Sequence, residues 1–183
     1  MFPSTQNWRS LLGSAGTLTA FLAMLSFSSR AIAAETLVVT YGGFSASFDV
    51  VDLEHLAATG EAPDSMQFYL GLANLEPETL QGLLTQPFNV SVEFVEDMLA
   101  APSGQTLLEK VTQVLHTESG EGSEPALRSA LIHSTVDDAQ LSFLEILQNY
   151  PTDRVYLNSR NLMKLTQEIE SLHAEQLNGD TSP

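Results

Sequence analysis

Residues 36–60 read TLVVTYGGFSASFDVVDLEHLAATG, and the fold turns on them because the period of the apolar side chains changes partway through. Thr36 to Tyr41 is rich in β-branched residues, and Gly42-Gly43 follows. Phe44, Ala46, Phe48 and Val50 then alternate with Ser45, Ser47 and Asp49, giving one apolar and one polar face at a period of two. Two strands about a two-residue glycine turn predict a β-hairpin. A lone hairpin is marginal in water, so its Phe44/Phe48 face is expected to pack on something. Beyond Asp52 the spacing becomes three and four: Leu53, Leu56 and Ala57 start a short helix that Gly60 stops.

Helical spacing then persists to the end. Asp64 with Gln67 reads as a capping pair ahead of Met66, Tyr69 and Ala73. Pro77 suits the first turn of a helix carrying Leu80, Leu83 and Leu84, which Pro87 ends. Ser91 caps the next, with Val92, Val95 and Leu99 on one face. Pro102 opens a longer helix with Leu107, Leu108, Val111, Val114 and Leu115 in a broad stripe, terminated at Gly120 and Gly122. Pro125 begins a helix carrying Leu127, Ala130 and Leu131, and Asp137 with Gln140 caps another carrying Leu141, Leu144 and Leu147 that Tyr150-Pro151 breaks. Asn158 caps a long last helix in which Leu162, Leu165, Ile169 and Leu172 form a seam suited to an antiparallel neighbour. The expected fold is mainly α: an N-terminal β-hairpin (35–51) packed on a compact bundle of about seven short helices, in a single domain over 35–178 with a frayed tail at 179–183.

Before this domain the composition differs in kind. All 23 acidic residues fall at or beyond Glu35, whereas Arg9 and Arg30 precede it. Arg9 supplies a positive start, Leu18 to Phe27 is apolar, and Ala31-Ile32-Ala33 offers the small residues a signal peptidase needs. Residues 1–34 are therefore expected to be a signal peptide cleaved next to Ala33 or Ala34. The apolar run falls well short of the roughly 20 residues that span a bilayer, so no stable membrane anchor is expected after its removal. The expected location is exported, periplasmic or extracellular. Processing leaves five basic and 23 acidic groups, a formal charge of −18. Such a charge repels phosphate backbones and anionic headgroups, which argues against nucleic acid as a partner. The absence of cysteine excludes disulfide scaffolds and thiolate metal sites. With 43% hydrophobic residues and only 16% charged, the 183-residue chain has the apolar surface to fold.

Chemistry is harder to find. A serine hydrolase of the α/β type presents its nucleophile on a G-x-S-x-G turn. The nearest stretch, Gly43-Phe44-Ser45-Ala46-Ser47, lacks the second glycine and lies in a strand. Ser129, His133 and Asp137 recur at steps of four and would stack along one helical face, but that face is rotated away from the Leu127/Leu131 stripe and is expected to be wet. His55, His116, His133 and His173 include no pair spaced to chelate a metal from one helical turn, so neither a metal nor a cofactor is expected. Glu118, Glu121 and Glu124 lie in the loop TESGEGSE, which reads as a solvated loop and not as an EF-hand. Arg128, one turn inside the following helix, is expected to anchor that loop through a partly buried ion pair with Glu118 or Glu124.

The order of residues in AETLVVTYGGFSASFDVVDLEHLAATGE, APSGQTLLEKVTQVLHTESGEGSEPALRSALIHS and LEILQNYPTDRVYLN resembles a cyanobacterial family known as domain of unknown function 1400. Its most specific pieces here are Pro102-Ser103-Gly104 with Leu107-Leu108, Thr117-Glu118-Ser119-Gly120 with Ala126-Leu127-Arg128, and Tyr150-Pro151-Thr152. The resemblance implies an accessory helical module of the kind that precedes an α/β-hydrolase domain in exported proteins, with a hydrolase or other exported protein as partner. It marks Glu118, Ser119, Gly120 and Arg128 as structural or interaction residues, with no catalytic residue assigned. The alternative is a divergent, esterase-like serine hydrolase using Ser119 or Ser129 with His116 or His133.

Overall fold

The computed structural model describes residues 33–179. The predicted signal peptide lies outside them, apart from Ala33 and Ala34. In chain order the elements are β1 (Thr36–Tyr41), β2 (Phe44–Asp49), α1 (Val50–Thr59), α2 (Asp64–Ala73), α3 (Pro77–Thr85), β3 (Phe88–Asn89), α4 (Val92–Ala100), α5 (Pro102–Thr112), β4 (Leu115–His116), α6 (Ser123–Thr135), β5 (Gln140–Leu141), α7 (Phe143–Gln148), β6 (Arg154–Asn158) and α8 (Ser159–Gly179). The described residues are mainly helical, as the spacing predicts, and the hairpin is in place with Tyr41 opposite Phe44 and Thr36 opposite Asp49.

The hairpin does not stand alone. β1 also pairs in parallel with β6, Leu37 beside Val155, and β6 pairs antiparallel with β4, giving a four-stranded mixed sheet in the order β2-β1-β6-β4. Helices α1 to α7 therefore form one long crossover between two adjacent parallel strands, the only way such neighbours can be joined. Leu37 and Val155 face the main core with Leu53, Leu56, Met66, Leu84, Leu99, Leu108, Leu127 and Leu147. Val38, on the other face of β1, is also buried, on a sheet whose β1 and β6 are packed against α8. A second, two-stranded ladder joins β3 to β5.

Local signals explain most of the helix ends. Ser91 accepts the Phe94 amide at 3.2 Å, and Asn158 accepts the Asn161 amide at 3.1 Å, so both act as the caps expected of them. Gly60 closes α1 in the left-handed conformation with φ 78°. Four expectations are corrected. Asp64 is not a cap: Pro63 holds that position, Gln67 reaches only the Asp64 carboxylate and the Ala62 carbonyl, and α2 buries Met66 and Leu70 in place of Tyr69 and Ala73. The α5 helix stops at Thr112, so Val114 is buried in the turn that follows and Leu115 enters the core from β4. Asp137 and Gln140 cap nothing: α7 starts after Ser142, which forms a reciprocal capping box with Glu145. Phe44 sits at the hairpin tip and remains exposed, while Phe48 packs edge-on against Tyr69 with ring centroids 5.3 Å apart.

Two close approaches set the helical packing. Gly104 brings the first turn of α5 directly onto the Met98 carbonyl in the last turn of α4. Arg128 on α6 donates to the Leu99 carbonyl at 3.2 Å, placing a cation at the negative end of α4. Lys110 of α5 pairs with Glu168, tying α8 to the body of the domain. Tyr150, just beyond α7, is wholly buried, and its hydroxyl has no hydrogen-bond partner.

Candidate functional site

The loop 117–122 between β4 and α6 carries Glu118, Ser119 and Gly120, and its shape comes from a small set of hydroxyl bonds. Ser123 is buried and donates to the Gly120 carbonyl at 2.8 Å while accepting the Thr117 amide at 3.1 Å. Thr117 donates its hydroxyl to the Glu121 carbonyl at 2.8 Å, and Ser119 accepts the Glu121 amide at 3.2 Å. Gly120, at φ 80°, takes the left-handed conformation that the reversal requires. The loop is therefore ordered by its own hydroxyls bonded to its backbone, and the acidic side chains stay exposed.

Facing the loop is the segment that leads into β6. Thr117, Glu118, Ser119 and Glu121 on one side and Thr152, Asp153 and Arg154 on the other line an open cleft of about 740 Å³. Three carboxylates, three hydroxyls and one guanidinium can hydrogen-bond a polar ligand there. The open mouth leaves water in place, so it lacks the dry environment in which amide donors stabilise an oxyanion strongly.

The two serine–histidine pairings are placed as follows. Ser129 and His133 are brought together, one helical turn apart on α6, with Ser129 Oγ 3.3 Å from His133 Nδ1. The same Nδ1 lies 2.8 Å from the Ser129 carbonyl oxygen. A carbonyl only accepts, so Nδ1 carries the proton in that bond and is not free to take one from Ser129. The His133 ring is exposed, so the face is wet, as its rotation predicts; Asp137, also exposed, lies in the turn beyond the end of α6 and does not extend the row. Ser119 is bonded to no histidine among the described residues. His116 likewise uses Nδ1 on the Thr117 carbonyl, at 2.7 Å, and stacks on Tyr156.

Of the two partners expected for Arg128, Glu124 is the one it meets, but the pair does not anchor the loop. Its ion pair is with Glu124 on its own helix, at 3.4 Å and with both side chains substantially exposed, and its second partner is the Leu99 carbonyl. It anchors α4 to α6 and not the loop, whose shape is held by its own Thr117, Ser119 and Ser123 hydroxyls. Among the described residues no group of three His, Asp or Glu could hold a metal ion, and no helix is long and apolar enough to cross a membrane.

Two features escape the sequence reading. The second wall of the cleft comes from residues 152–154, whose place beside the loop depends on the β1–β6 pairing. The other is that Leu72 on α2 and Phe44 on β2, 77% and 81% exposed, extend the apolar surface that Phe68, 71% exposed, offers on α2. The Phe44-x-Ala46-x-Phe48 alternation marks this apolar face in the sequence, and the structure leaves its Phe44 end uncovered.

Residues 33–158 match the family model described as an alpha/beta hydrolase of unknown function (DUF1400), and the chain belongs to that family. No curated protein and no solved structure matches it.

Proposed function

We propose that this member of the DUF1400 family is a non-catalytic accessory module, exported from the cell, that binds a partner protein such as a separately encoded hydrolase, or an apolar ligand. The observation that carries this reading is the wiring of the Ser129–His133 contact. Its ring nitrogen is engaged with a carbonyl at 2.8 Å, on an exposed helical face. A general base needs a free lone pair aimed at the hydroxyl it activates. Further support comes from the large apolar side chains left bare on α2 and β2, which give the surface something to bind with.

The second reading is a divergent esterase-like enzyme using Ser129 with His133, favoured by their 3.3 Å approach and by the wording of the family description. A fluorophosphonate probe separates the two. The accessory reading expects the purified protein to stay unlabelled. Labelling that disappears in Ser129→Ala or Ser119→Ala overturns it in favour of the enzyme.

A further inference from the structure

We propose that β2 pairs with β2 of a second copy of this chain, antiparallel about a two-fold axis through Ala46, extending the four-stranded sheet to eight strands. β2 is the outer strand of the sheet. Through a two-residue turn its Phe44, Ala46 and Phe48 exchange backbone bonds with Tyr41, Val39 and Leu37. The N–H and C=O groups of Ser45 and Ser47 therefore point outward from the sheet, and both residues are exposed.

That edge carries none of the usual protections. It has no lysine, no proline and no charge between Phe44 and Phe48. The opposite edge, β4, is only two residues long and offers little to pair with.

The occupant follows from the pattern. Residues 44–48 read Phe-Ser-Ala-Ser-Phe, the same in both directions. An antiparallel two-fold centred on Ala46 places Ser45 opposite Ser47 of the other copy as hydrogen-bonded pairs, using the four outward-facing groups of each strand. It places Phe44 opposite the other copy's Phe48, and Ala46 opposite Ala46, as non-hydrogen-bonded pairs, where side chains come closest. Only an axis centred on a residue keeps both apolar faces on the same side of the sheet. Tyr69 lies between Phe48 and Phe68, with ring centroids 5.3 and 5.4 Å away, so the strand's apolar face continues onto the exposed Phe68 and Leu72 of α2. Covering these side chains at about 150–200 Å² per aromatic, together with the strand edge, brings the interface near the roughly 1,200 Å² of small specific contacts. The chain's formal charge of −16 opposes association, so added salt strengthens it.

Sedimentation of the purified protein tests this. The expected result is a concentration-dependent doubling of mass that increases with salt and is lost in both Ser47→Pro and Phe44→Glu. Ser47→Pro removes only an outward N–H. Phe44→Glu changes a side chain that is mostly exposed in the single chain, so it stands apart from any folding defect of the proline. Because the chain has no cysteine, Ala46→Cys is expected to form a disulfide-linked dimer on mild oxidation while Ser45→Cys does not, since only position 46 faces itself. A monomer at every concentration and salt, a dimer that persists in both edge variants, or equal crosslinking of Ala46→Cys and Ser45→Cys overturns the proposal.

Discussion

Replacing Gly104 by alanine tests the α4–α5 packing more severely than any other single methyl. A Cβ at this position would lie 1.7 Å from the Met98 carbonyl oxygen and 2.6 Å from its carbon. Ordinary contact begins near 3.4 Å, so the two helices must separate by about 1.5 Å. They have no slack for this, because only Ala101 joins them. The obstacle is backbone, which cannot rotate aside. Leu99 and Leu108, both 2% exposed, pack in this region, and the Leu99 carbonyl holds Arg128. Overpacking alone costs about 1–3 kcal/mol, and disturbing these neighbours raises the expected loss to about 3–5 kcal/mol. For a domain of this size that is a fall in Tm on the order of 10 °C. Gly82→Ala in α3 is the matched control: a methyl there meets nothing within 4 Å, and alanine is expected to stabilise the helix by about 0.5–1 kcal/mol. Thermal or urea denaturation of both variants decides the matter. A Gly104→Ala protein that melts with the wild type, or with the Gly82→Ala control, refutes the close approach.

Tyr150→Phe removes a wholly buried hydroxyl with no partner and is expected to raise stability by about 1–2 kcal/mol at neutral pH, read from the urea midpoint. Burial pushes the Tyr150 phenol up to about 12, above the unfolded value of 10.0. Its contribution is thus complete below pH 10 and is lost as pH rises toward 12, by roughly 2–3 kcal/mol, a fall the phenylalanine variant escapes. Arg128→Ala is expected to cost about 1 kcal/mol, through the lost Leu99 carbonyl bond, while Glu124→Ala stays within about 0.5 kcal/mol of wild type because that pair is exposed. Ala34 is 4% exposed within the core cluster, so if the chain is exported as proposed, cleavage after Ala33, which keeps Ala34, is expected; the intact mass of the protein recovered from the expressing cells checks for a first residue of Ala34.

The hairpin and most of the helices were legible because each carries a full period of apolar residues or a cap: Phe44 to Val50 at two, and Leu53 with Leu56 or Val95 with Leu99 at three and four. The sheet was not. β4 is two residues and β6 five, too short to establish a period against flanking helices, and the β1–β6 pairing joins residues more than a hundred positions apart. Asp137 drew the cap that belongs to Ser142, although Ser142 and Glu145 have the same spacing. The position of Gly104 explains a motif that spacing could only mark: the residue is needed for what lies against it in space. Position one turn inside the helix suggests Arg128 as a loop anchor, whereas its geometry favours the end of α4, where the partial charge of several carbonyls is already ordered.

A His133 that presents a protonated Nδ1 to the Ser129 carbonyl cannot serve as the base for the Ser129 hydroxyl through that nitrogen. Long-range ¹⁵N–¹H NMR of the imidazole, recorded with the ring neutral, reads that tautomer directly. The expected spectrum shows Nδ1 as the protonated nitrogen and is unchanged in Ser129→Ala, since the carbonyl remains. An unprotonated Nδ1 whose shift moves when the Ser129 hydroxyl is removed would mean that the serine donates to the histidine, and the non-catalytic reading would fail.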